Sequence, residues 1–120
     1  MLERSLSTVI KQDGRYGLQA VNFLREGLDY TIKKYYPDTD ALTPTHVSGY
    51  QLCIGIRELA LSRWGYMAKF VLKYWNVTTT RDFGEMVYLL IDHEFMRSNE
   101  NDQIEDFDDI YDFDVAFTEE

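Results

Sequence analysis

The chain has 120 residues, is 45% hydrophobic and 15% aromatic, and carries 12 Lys or Arg against 21 Asp or Glu, a net charge of -9. That length suits one domain with a real core, and that apolar content excludes an intrinsically disordered chain. The charge is segregated, because residues 1–97 hold all 12 bases and 11 acids while 98–120 hold ten acids and no base, which argues against binding nucleic acid or an anionic membrane through the C-terminal part.

The N-terminal MLERSLSTVI lacks the basic start and apolar run of a secretory signal, and no stretch approaches the roughly 20 apolar residues of a membrane span. Residues 3–11 predict a short helix interrupted at Asp13 and Gly14. From Arg15 to Tyr36, Val21, Leu24, Leu28, Ile32 and Tyr35 recur every three or four residues, so a long amphipathic helix is expected. Pro37 stops it, and PDTDALTPT, with two prolines, reads as a loop.

Ser48 and Gln51 have the spacing of a capping box and start a second strong helix with Leu52, Ile56, Leu59 and Ala60 inward, ending at Gly65. The lone Cys53 lies inside its apolar pattern, so the expectation is a buried thiol in a reducing, cytoplasmic setting. A short helix from Tyr66 to Trp75 is expected to turn Met67, Phe70, Val71 and Tyr74 inward and Lys69 and Lys73 outward. Asn76 breaks it. A last helix begins at Thr79 or Thr80 and runs through the six apolar residues MVYLLI, which places it centrally.

The last two helices have the outline of a helix-turn-helix, and a following hairpin would make it a winged helix. The outward positions of the second, Arg81, Asp82, Glu85, Tyr88, Leu89 and Asp92, carry three acids and one base. That charge opposes phosphate neutralisation, so nucleic acid is an unfavoured partner. His46 and His93 are the two histidines. His93 stands between Asp92 and Glu94, but adjacent helical side chains diverge by about 100° and cannot share a metal. His46 reads as a loop residue that bonds neighbouring backbone, with a small enzyme using His46 as an alternative. No nucleophile motif, glycine-rich phosphate loop or calcium loop is present, and no cofactor or metal is expected.

The C-terminal IEDFDDIYDFDVAFTEE threads eight acids between four rings. Ile104 and Phe107 are one helical turn apart, after which Tyr111, Phe113, Val115 and Phe117 alternate with Asp112, Asp114 and Ala116. Period two predicts an extended strand with one apolar face. Leaving its four side chains in water would forgo about 1.5–3 kcal/mol each, so the segment is expected to pack through Phe107, Tyr111, Phe113, Val115 and Phe117. Its carboxylates, Asp108, Asp109, Asp112 and Asp114 above all, would face solvent, a protein partner, or bases such as Arg57, Arg63, Lys69 and Lys73.

RYGLQA (15–20), HVSGYQL (46–52), GIRELAL (55–61), DFGEMVYLLI (82–91) and YDFDVAF (111–117) together resemble an uncharacterised family of short bacterial proteins. The resemblance implies a free-standing cytoplasmic domain to which YDFDVAF belongs, and it carries no activity or catalytic residue. Glu94-Phe95-Met96 departs from the small apolar turn that the resemblance implies. The expected architecture is one mainly α domain of four or five helices, a helical body over 1–97 and an acidic arm over 98–120, extended or paired as a short hairpin. The expected function is non-catalytic: a protein-interaction or regulatory module using the acidic surface.

Overall fold

A computed structural model describes residues 5–38, 46–99 and 101–118. Most of PDTDALTPT, the start of the predicted first helix and the acids Glu100, Glu119 and Glu120 lie outside the described residues. Helix α1 (Leu6–Asp13) is capped by the Ser5 hydroxyl, which accepts from the Thr8 N–H at 3.1 Å. It stops at Gly14, whose φ of 81° suits a residue without a Cβ. Helix α2 (Leu18–Tyr35) ends just before Pro37, which has no N–H to extend it. Helix α3 (Gly49–Trp64) starts at the expected capping box, in which the Ser48 hydroxyl accepts from Gln51 N–H and the Gln51 side chain accepts from Ser48 N–H.

Helices α2 and α3 meet through two glycines, each opposite a β-branched residue. A Cβ on Gly55 would lie 1.8 Å from the Thr31 hydroxyl oxygen, and one on Gly27 would lie 2.7 Å from Ile56 Cγ1. The approach requires hydrogen at both positions. Thr31 is fully buried, and its hydroxyl donates to the Gly27 carbonyl at 2.7 Å.

After a 3-10 turn (Gly65–Met67) comes α4 (Ala68–Tyr74), then Asn76 in the left-handed region at φ 66°, as its helix-breaking role requires. The expected orientation of α4 fails for its large residues, although Lys73 stands outward as expected and Val71 is half-buried. Ala68 and Leu72 are its buried residues, whereas Tyr66, Met67, Phe70 and Tyr74 are 50%, 48%, 51% and 85% exposed. Two stripes compete on this helix. Ala68 and Leu72 form the stripe that faces the body, whose neighbouring aromatic cluster is Phe23, Trp64 and Trp75, with centroids 4.9–5.9 Å apart.

Helix α5 (Thr80–Asp92) is the central element, burying Phe83, Gly84, Met86, Val87, Leu89 and Leu90 against α2, α3 and the arm. Asp82 caps its start by accepting from the N–H groups of Thr78 and Thr79. Leu89, expected outward, is only 6% exposed.

The arm packs, but not as a strand. It forms a 3-10 turn (Ile104–Phe107) and a single-turn helix α6 (Phe113–Ala116), and no strand or hairpin occurs among the described residues, so residues 101–118 form no wing. Asp109 takes φ 52°, and the Asp112 carboxylate caps α6 by accepting from Asp114 N–H at 2.7 Å. Both bend the chain out of extension. The period-two pattern misleads because Phe113, Ala116 and Phe117 also share one face of a helical turn. They are buried, while Val115, expected as an anchor, sits on the opposite side at 72% exposure.

Candidate functional site

Three surfaces concern function: the arm, a cleft at His46 and the outer face of α4. The arm's anchoring is explicit. The Phe107 ring wedges between α3 and α5, where a Cβ on Gly49 would lie 3.2 Å from it and one on Gly84 2.8 Å. The buried Thr80 hydroxyl donates to the Phe107 carbonyl at 2.6 Å and accepts from Ile110 N–H at 3.1 Å. Tyr111 donates to the Cys53 carbonyl at 2.8 Å, and burial pushes its phenol well above the ordinary range. Phe113 stacks on Phe83 at 5.8 Å and meets Phe117 edge-on at 5.2 Å.

The arm's carboxylates are not equivalent. Asp108 receives both of its contacts from Arg81 Nη1 at 2.9 and 3.1 Å, Asp112 is occupied as a cap, and Asp114 pairs with Lys69 at 3.0 Å while its side chain stays 80% exposed. Asp109 is exposed at the left-handed turn. Arg63, expected as a base for the arm, instead pairs with Glu26 at 2.7 Å. Arg81 also reaches Glu85, which in turn binds Arg15, so the arm joins a charge chain running back to the α1–α2 turn. That chain occupies the single base of α5, and the arm covers the helix that would have to enter a DNA groove.

The cleft has a volume of about 230 Å³ and lies between α2, the start of α3, α5 and the segment 96–107. His46 Nε2 stands 3.1 Å from Asp102 Oδ1, and the other Asp102 oxygen accepts from Asn99 N–H at 2.9 Å. The His46 carbonyl accepts from the Tyr36 hydroxyl at 2.8 Å, so residue 46 is tied to its neighbourhood through both backbone and ring. Tyr88 lines the cleft, and its hydroxyl is buried without a hydrogen-bond partner among the described residues; burial, then Asp102, Asp106 and Glu105, raise its pKa. Among the described residues, the side chains nearest to supplying a nucleophile for the His–Asp pair are otherwise committed. Ser48 Oγ is engaged in the helix cap, and burial pushes the Cys53 thiol up to about 12. His93 lies exposed at the end of α5, and no cluster of three metal-ligating side chains occurs among the described residues.

The outer face of α4 was legible as a stripe but not as a surface. Tyr66, Met67, Phe70 and Tyr74 follow helical spacing and stand in solvent, with Lys69 and Lys73 alongside. The pair Ala68 and Leu72, four residues apart, was the available signal that another face could turn inward. A groove of about 340 Å³ runs from Phe70 and Lys73 to Asp112 and Asp114, joining this face to the edge of the arm.

The geometry defines a small helical domain closed by its own C-terminal arm. No family pattern, characterised protein or solved structure matches the chain, and no helix among the described residues is long and apolar enough to cross a membrane.

Proposed function

We propose that this chain is a non-catalytic protein-interaction module that receives a partner protein on the outer face of α4 and the adjoining edge of the acidic arm. The observation that carries this reading is the exposure of Tyr66, Met67, Phe70 and Tyr74 as one stripe. Single exposed apolar residues are ordinary, but a contiguous row of large ones is where partners bind. The acidic surface expected at Asp108, Asp109, Asp112 and Asp114 enters as a border: Asp114 and Asp112 frame the groove, while Asp108 is held by Arg81 and serves the fold.

The two other readings have less support. A nucleic-acid regulator would need a free basic helix, and Arg81 of α5 is committed to Glu85 and Asp108. An enzyme using His46 would need a group for the His46–Asp102 pair to act on, and the neighbouring Ser48 is committed to the cap.

The test compares proteins captured by the intact chain and by a Phe70→Ser, Tyr74→Ser variant, after circular dichroism shows equal folding. A binding partner that is lost with the variant and rebinds the intact chain when both are purified supports the reading. Identical capture by both defeats it.

A further inference from the structure

We propose that the occupant of the α4 face is a short amphipathic helical segment of another protein, with acidic side chains flanking its apolar row; this rests on the interaction reading above. Shape is the first argument. Met67, Phe70 and Tyr74 follow the i, i+3, i+7 spacing from the end of the 3-10 turn along α4, and the exposed Tyr66 stands next to Met67 at its start. Ridges of that spacing are met by the i, i+3, i+4, i+7 face of another helix. Tyr and Phe provide large, stiff contact surfaces, and Met67 adapts to the fit.

Size is the second. Large side chains offer about 150–250 Å² each when fully exposed, so these four present roughly 350–600 Å². A stable protein–protein interface takes about 800 Å² from each partner. The face is therefore matched to one helix rather than to a second copy of this chain, and two copies would also each bring a net charge of -9.

Charge is the third. Lys73 is exposed, and among the described residues no ion pair engages it; Lys69 is bound by Asp114, whose carboxylate is 80% exposed and exchangeable. Asp112, the other acid of the groove, already caps α6. An incoming carboxylate therefore finds one unpaired ammonium and one held only by a solvated pair. At physiological salt, charges beyond about 8 Å are largely screened, so these local lysines outweigh the distant acids of the chain. An anionic membrane fits less well, because it meets the whole chain's negative charge over a wide, flat area.

The experiment uses the full chain and two fluorescent helical peptides that share one leucine row, flanked by Glu in one and by Lys in the other. Fluorescence anisotropy at physiological salt should show the Glu peptide binding about tenfold more tightly than the Lys peptide. Phe70→Ser with Tyr74→Ser should weaken it at least about tenfold, and Lys69→Glu with Lys73→Glu should reverse the preference. Equal affinities, preference for the Lys peptide, or no saturable binding by about 1 mM would overturn the proposal. So would sedimentation showing a dimer that the Phe70→Ser, Tyr74→Ser variant abolishes, or binding to anionic vesicles lost with that variant. If both peptides fail while partner capture still depends on Phe70 and Tyr74, the occupant proposed here is wrong and the interaction reading stands. If capture is also indifferent to these residues, both fall.

Discussion

Thr80 shows how one hydroxyl fastens the arm to the body. It is 1% exposed, donates to the Phe107 carbonyl and accepts from the Ile110 N–H. Thr80→Val keeps the shape and removes both bonds, leaving those two backbone groups unsatisfied. The expected cost is about 1–3 kcal/mol in urea unfolding, while Thr80→Ser, which retains the hydroxyl, should lose distinctly less. Glu85 makes a second residue-scale prediction. Hydrogen bonds from Arg81 and then Arg15 hold its carboxyl below its ordinary value of 4.5, against the opposing effect of burial. A depressed folded-state pKa contributes stability that is present above the ordinary value and disappears as pH falls through the depressed one. Urea midpoints of the native chain should therefore fall on acidification below pH 4.5, and Glu85→Gln should flatten part of that fall. Parallel profiles for the two proteins would mean that Glu85 titrates alike in the folded and unfolded states.

At the scale of elements, α6 and α4 make the same physical point from opposite sides. Phe117 is 1% exposed among Tyr111 and Phe113, so Phe117→Ala should cost about 3–5 kcal/mol, whereas Val115→Ser should stay within about 0.5 kcal/mol. Equal losses in thermal or urea unfolding would revive the strand, in which both side chains share a face. Boundaries were legible in the sequence because local chemistry determines them: the Ser48–Gln51 box, the stop before Pro37, and Gly65 and Asn76 at φ 59° and 66°. The direction of short elements was not, since four to seven residues admit two competing stripes and only tertiary packing chooses between them. On α4 the packing buries Ala68 and Leu72 and leaves Phe70 and Tyr74 in solvent. The cleft was illegible for a related reason. His46 and Asp102 are 56 positions apart, and Tyr88 reads as an outward helix residue until the segment 96–107 is laid over it.

Across the whole molecule, the placement of charge decides how salt acts on stability. Residues 98–120 carry ten acids and no base. Among the described residues, the body holds this segment through three polar side-chain contacts: the ion pairs Arg81–Asp108 and Lys69–Asp114, and the hydrogen-bonded His46–Asp102. All three are partly exposed, and exposed pairs contribute little. What docks the arm is Phe107, Phe113 and Phe117, which salt does not screen, and what opposes docking is repulsion among the carboxylates concentrated in this short stretch of sequence. Raising salt from about 0.01 to about 0.1 M shortens the screening length from about 30 to about 10 Å and weakens that long-range repulsion more than the contact pairs. The melting temperature at neutral pH should therefore rise with salt over this range. Asp109→Asn, which removes an exposed charge that no ion pair engages among the described residues, should raise the low-salt value and reduce the dependence. A melting temperature that falls with salt would mean that the three contacts, rather than the rings, hold the arm in place.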